Sequence, residues 1–205
     1  QKQDRMVWLP ELVYFAEHGY TVVTADYSTH PYTEFPEQLL EAKTAIRFLR
    51  THAKEFQNDP ERIAAMGESA GGQLAAWLAV TGDSDEYPKK DYPEASDAVQ
   101  CCAAFYPVTN VNAFPAPDSI RIRMDNYPDT CTLVDDRTPP FVLAHGTADH
   151  QVPYEQSVRL HDCLQSHGVS CKLMLLEGAD HSDPRFFSEN IKAEILDFLD
   201  KTLKS

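Results

Sequence analysis

Five short apolar or β-rich runs alternate along this chain with segments of helical period, and that alternation is what most constrains its fold. The runs are Tyr20 to Ala25, Ile63 to Met66, Val99 to Tyr106, Phe141 to His145 and Cys171 to Leu176. Continuous apolar runs of this length suit strands buried on both faces. Between them, Trp8, Leu12 and Phe15 recur at helical spacing and stop at Gly19, a C-capping residue. Leu39, Ala42, Ile46, Leu49, Ala53 and Phe56 form one stripe on a long helix starting near Pro36. Ala70 to Val80, the stretch from Pro153 to Gly168, and a C-terminal stretch marked by Ile191, Ile195, Phe198 and Leu199 read as further helices. The pattern predicts an α/β fold, a mostly parallel sheet flanked by helices. Right-handed crossovers then bring every strand's C-terminal end to one edge, where sites of open α/β sheets lie. The 205 residues are enough for a single domain, 1–205. Within it, residues 107–138 are rich in Pro, Asp and Asn, show no sustained period, and read as an irregular excursion.

The run Gly67-Glu68-Ser69-Ala70-Gly71-Gly72 joins the second apolar run to a helix. A serine on a sharp strand-to-helix turn presents its hydroxyl above the sheet edge, and Gly67 and Gly71 are expected where the turn crowds out side chains. The helix N-terminus, with the Ala70 N–H, then points at a reacting carbonyl oxygen as one half of an oxyanion hole. Serine needs a base, and the base needs an orienting acid. His181, in Gly178-Ala179-Asp180-His181 after the last run, fits the base. Asp149, in His145-Gly146-Thr147-Ala148-Asp149 after the preceding run, fits the acid. His150 is a weaker base; Asp180 and Asp26 are weaker acids. His145 reads as a hydrogen-bonded turn residue, and His18, His52, His161 and His167 as solvated positions on helices. Glu68, Tyr27, Tyr106 and Phe114 are candidate substrate-binding side chains, with Tyr127 beside them. The alternative for these aromatics is ordinary core.

These stretches, with Asp26-Tyr27 and Asp59-Pro60-Glu61-Arg62-Ile63, resemble landmarks of the α/β-hydrolase esterases of the BD-FAE and acetyl-esterase/lipase type, from near residue 10 to the C-terminus. The resemblance implies hydrolysis of carboxylic esters through an acyl-enzyme, with Ser69 as nucleophile, His181 as base and Asp149 as orienting acid. It implies short-acyl substrates, acetyl or feruloyl esters among them, either small molecules or linked to polysaccharide, and no cofactor. An amidase or peptidase on the same fold, or a hydrolase-fold protein with little catalysis, stays open.

The chain departs from the resemblance at its start. No His-Gly-Gly-Gly string is present, although in the family that loop supplies a second oxyanion donor. Losing one such donor costs about 3 kcal/mol of transition-state stabilisation. The chain therefore reads as an N-terminally truncated α/β-hydrolase with about five of the family's eight strands, and its opening Gln1 reads as a processed form or fragment. The lost strand would lie between runs 20–25 and 63–66, so those two are expected to pair directly, or a second copy of the chain to fill the place.

The net charge of −14 argues against nucleic acid or an anionic membrane as partner. No apolar run is long enough for a transmembrane helix, no signal-peptide pattern is visible, and no His or carboxylate pair has metal-site spacing. The chain thus reads as soluble, cytoplasmic or secreted. Cys101, Cys102, Cys131, Cys163 and Cys171 show no disulfide framework and read as buried thiols, with a Cys163–Cys171 bridge left open.

Overall fold

Four of the five runs form one parallel sheet in the computed structural model, which describes residues 9–28, 34–113 and 126–204. The strands are β1 (Ala64–Glu68), β2 (Cys101–Phe105), β3 (Phe141–Gly146) and β4 (Cys171–Leu176), side by side in sequence order. Glu68 pairs with Phe105, Phe105 with Ala144, and Gly146 with Leu176. The C-terminal ends therefore lie nearly flush, and the loops leaving them share one edge.

The helices are α1 (Leu9–Glu17), α2 (Glu37–Thr51), α3 (Ala53–Phe56), α4 (Ala70–Val80), α5 (Glu155–Ser166) and α6 (Glu189–Leu203). They cover both faces of the sheet, and the period of two along each strand divides the core between them. Cys101, Ala103 and Phe105 of β2, with Val142 and Ala144 of β3, meet Phe15 of α1 and Ile195, Leu199 and Leu203 of α6. Cys102, Ala104, Phe141 and Leu143 point the other way, towards α2, α4 and α5. Every residue of β2 and β3 is buried, as their unbroken apolar character demands. Gly72 to Val80 of α4 are also all buried, because this helix lies between the sheet and α2. The long helix expected from Pro36 to Phe56 is broken at His52 into α2 and α3.

The fifth run is a correction. Tyr20 to Ala25 forms no strand, and β1 is an edge strand among the described residues, so direct pairing between these segments does not occur. Residues 21–26 are exposed, Val22 at 38% and Val23 at 49%. Tyr20 is instead held by α6, its hydroxyl donating to Asp200 Oδ1 at 2.6 Å beneath the Lys204 ammonium. β-branched residues favour a pleated surface only when a neighbouring strand supplies hydrogen bonds and packing.

The buried face of α2 carries charge as well as hydrocarbon. Lys43 and Arg47 share the stripe with Leu39 and Ile46, and both are buried. Lys43 Nζ lies 2.7 Å from Asp97 Oδ1 and 2.5 Å from Thr81 O, and Arg47 Nη1 lies 2.8 Å from Asp97 Oδ2. One buried carboxylate thus fastens the loop between α4 and β2 onto α2. All five cysteines are free thiols, and Cys163 Sγ faces the carbonyl of Cys131 rather than bridging to Cys171. No helix among the described residues is long and apolar enough to cross a membrane.

Candidate active site

Ser69 occupies the turn between β1 and α4 with φ 51° and ψ −119°, a conformation L-residues adopt only under tertiary constraint. Two hydrogen bonds impose it. The Ser69 N–H donates to Phe105 O at 2.9 Å, and its carbonyl accepts from Gln73 N at 2.9 Å to begin α4. The Ala70 N–H, at the first position of α4, has no acceptor within its own helix.

The glycines of this turn have unequal roles. A Cβ on Gly67 would sit on the carbonyl of Gly71, and one on Gly72 would stand 3.0 Å from Phe105 O. A Cβ on Gly71 would meet nothing within 4 Å, so the crowding expected there falls on Gly72 instead. Gly67→Ala is therefore expected to cost about 1–3 kcal/mol by forcing the backbone apart. Gly71→Ala is expected to be neutral or to stabilise by up to ~1 kcal/mol, as alanine does in a helix. Paired urea unfolding curves check both.

The loops after β3 and β4 bring Asp149 and His181 to the serine. His181 Nε2 lies 2.9 Å from Ser69 Oγ, and His181 Nδ1 lies 2.8 Å from Asp149 Oδ2. The carboxylate therefore takes the Nδ1–H, leaving Nε2 to accept the serine hydroxyl proton. Asp149 Oδ1 accepts the N–H groups of Gln151 and Val152, each at 2.8 Å. Burial pushes the Asp149 carboxyl up, but hydrogen bonds from His145, His181, Val152 and Gln151 outweigh it and hold it well below the usual carboxylate range. Asp149 is thus ionised throughout the neutral range.

His145 is hydrogen-bonded as expected, but its partner at the acid was missed in the sequence. Its Nε2 lies 2.9 Å from Val152 O and 3.2 Å from Asp149 Oδ2, and its Nδ1 lies 2.7 Å from Ser157 Oγ. The spacing of four residues between His145 and Asp149 was the available signal. Gly146 lets the loop that carries His181 approach β3, since a Cβ there would strike the Ala179 carbonyl.

The weaker candidates lie elsewhere. His150 is exposed, and its Nδ1 is 3.1 Å from Asp180 Oδ1. Asp180 accepts the N–H groups of His150 and His181 rather than an imidazole N–H of His181. Asp26 is exposed.

Among the substrate-binding candidates, Tyr106 has no exposed surface. Its ring lies between His181, with centroids 4.6 Å apart, and Phe186, at 4.7 Å. It is packed behind the imidazole, so of the two readings left open for it the structure gives the core one. Its hydroxyl donates to Glu68 Oε2. Tyr27 is half-buried; burial pushes its hydroxyl up, with Tyr127 and Glu68 adding to the effect. Tyr127 packs against Trp77 and Phe35 and accepts from Gln38 Nε2. Phe114 lies outside the described residues.

The chain has relatives among known proteins. The BD-FAE family matches residues 1–130 and the prolyl oligopeptidase family matches residues 93–205. Esterase LipC of Mycobacterium tuberculosis is 28% identical over 160 residues, covering 69% of this chain and 40% of LipC. The chain thus spans less than half of that relative's length. A thermophilic esterase of Thermogutta terrifontis, Est2, is 29% identical with a TM-score of 0.75, over 95% of this chain and 75% of Est2. The acetyl ester-xyloside bifunctional hydrolase of Caldicellulosiruptor lactoaceticus is 26% identical with a TM-score of 0.72, over 86% of this chain and 69% of that one. The fold is that of the α/β-hydrolases.

Proposed function

The chain belongs to the BD-FAE family and, through its C-terminal half, to the prolyl oligopeptidase family, and from that premise we propose that it is a serine hydrolase of carboxylic esters. The observation that carries the reading is the unbroken relay from Ser69 Oγ through His181 to Asp149. Ser69 attacks the ester carbonyl as its proton passes to His181 Nε2. Asp149 stabilises the imidazolium without taking its proton. The Ala70 N–H faces the developing oxyanion. His181 then protonates the leaving alcohol, and water, activated by the same imidazole, releases the acid and restores the serine.

Substrates are short-acyl esters, of acetyl or feruloyl type, including those linked to carbohydrate. The similarity to the acetyl ester-xyloside hydrolase supports the carbohydrate link. The prolyl oligopeptidase match favours a second reading, in which the same serine cleaves an amide.

A fluorophosphonate probe is expected to label Ser69, and the protein to hydrolyse p-nitrophenyl acetate faster than a short peptide p-nitroanilide. Acetate release from acetylated xylo-oligosaccharides tests the carbohydrate assignment. A serine that neither labels nor turns over acetate esters overturns the proposal, and preference for the anilide selects the amide reading.

A further inference from the structure

Glu68 is a half-buried carboxyl immediately before the nucleophile, and the relay described above does not use it. Its Oε2 accepts from the Tyr106 hydroxyl, which the Ser182 side chain also hydrogen-bonds. Glu68 ends β1, Tyr106 follows β2, and Ser182 follows His181 in the loop after β4. Tyr106 cannot turn away. It has no exposed surface, its ring is held between His181 and Phe186, its N–H donates to Ala144 O at 2.7 Å, and its φ is +37°. A buried tyrosine held at positive φ by this many contacts has a fixed hydroxyl, and the hydroxyl fixes the carboxylate.

We infer that Glu68 and Tyr106 are positioning residues for the proposed esterase reaction, supplying a second carboxylate whose charge favours the imidazolium that His181 becomes when it takes the Ser69 proton. The inference rests on the esterase reading and gives Glu68 and Tyr106 an electrostatic role in place of substrate contact. Asp149 binds Nδ1 directly and sets the tautomer, whereas Glu68 acts through space. An opposite charge within a few ångströms favours the protonated imidazole, most strongly where water is excluded. Burial pushes the Glu68 carboxyl above its ordinary range, while the Tyr106 hydrogen bond and the positive charge of His181 oppose that rise. A positive imidazole at His181 therefore favours the charged form of Glu68.

The groups facing this pair are few. His181 meets Ser69, Asp149 and Tyr106, with Glu68 on the Tyr106 hydroxyl and His145 behind Asp149. From His181, Asp180 accepts the backbone N–H and no ring N–H. Glu68 accepts from Tyr106, and it shares an electric field with His181 and Tyr27.

The test is the pH dependence of kcat and KM for p-nitrophenyl acetate in the wild type, Glu68→Gln and Tyr106→Phe. Removing the Glu68 charge is expected to lower kcat by about tenfold or more, with KM little changed. It is also expected to move the acid limb of kcat/KM to lower pH, by at least about half a pH unit, because the imidazole loses its proton more readily. Tyr106→Phe keeps the ring and frees the carboxylate, so it is expected to move the limb in the same direction by a smaller amount. If Glu68→Gln does not fold, Tyr106→Phe decides alone on the same limb.

An unmoved limb overturns the inference, whether kcat is retained or KM rises; a raised KM with a fixed limb makes the two residues substrate walls. These failures are separate from failure of the esterase reading itself. In the latter case the wild type neither hydrolyses the ester nor reacts with fluorophosphonate.

Discussion

Ser69→Ala is expected to lower p-nitrophenyl acetate turnover by about 10⁴–10⁶-fold, the range set by nucleophile removal in other serine hydrolases. The Ser69 hydroxyl meets only His181 Nε2 among the described contacts, so the alanine leaves the remaining half of the relay, His181 to Asp149, in place. Its loss should therefore move the urea midpoint by less than about 1 kcal/mol in stability. Activity and stability separate cleanly at this position. His181→Ala should cost a similar factor, and the Ser69/His181 double variant little more, because the groups act as a unit. Turnover within tenfold of wild type in Ser69→Ala would remove the serine from the mechanism.

The largest effect on stability is expected at a residue far from the chemistry. Asp97 is 1% exposed and is the carboxylate partner of two buried cations, Lys43 and Arg47. It also accepts the Asp83 N–H at 2.9 Å. Burial pushes the Lys43 ammonium down, and its contact with Asp97 opposes that. Asp97→Ala leaves both cations buried without their counter-charge, which costs about 3–5 kcal/mol. In a domain of this size that corresponds to a fall in Tm on the order of 10 °C. Urea unfolding should show a lower midpoint with unchanged slope, as for a lost native interaction. Replacing Lys43, Arg47 and Asp97 together by apolar residues of similar volume should recover most of the loss, because the desolvation penalty goes with the charges. A loss below about 1 kcal/mol in Asp97→Ala would show that the charges find other partners.

Most of the hydrogen-bonded chain from Ser69 to Asp149 was legible because each member follows a strand within a few residues. β1, β2 and β3 are continuous apolar runs ending in short turns, so Ser69 and Asp149 could be placed at one sheet edge without coordinates. β4 and Gly178-Ala179-Asp180-His181 did the same for the base. The choice of Asp149 over Asp180 was also available, since adjacent residues seldom reach each other's side chains in a relay. The structure adds the reason: Asp180 is occupied by backbone N–H groups.

What was misread has one origin. Tyr20 to Ala25 has the composition of a strand, yet whether a β-rich run becomes one depends on a partner strand that its own residues cannot specify. The burial of Lys43 and Arg47 is marked by nothing in the residues around them, and only the distant Asp97 makes it tolerable. Gly71 was expected to be crowded, but the path of the backbone placed Gly72 against Phe105 O instead. Tyr106 reads as a pocket aromatic in a Pro-rich neighbourhood, and only the packing of β2 against the loop after β4 puts it behind the imidazole.

The sequence by itself determined the layered α/β architecture, the serine turn and the identity of the residues hydrogen-bonded to it, because these rest on local periodicity and on residues close to strand ends. The tertiary structure decided that four strands form the sheet among the described residues, and it decided the buried ion cluster, the second histidine on Asp149 and the Glu68–Tyr106 contact beside His181. Each of these depends on groups remote in the chain meeting where water is excluded, and there the energy of a charge or a hydrogen bond is set by the partner it finds.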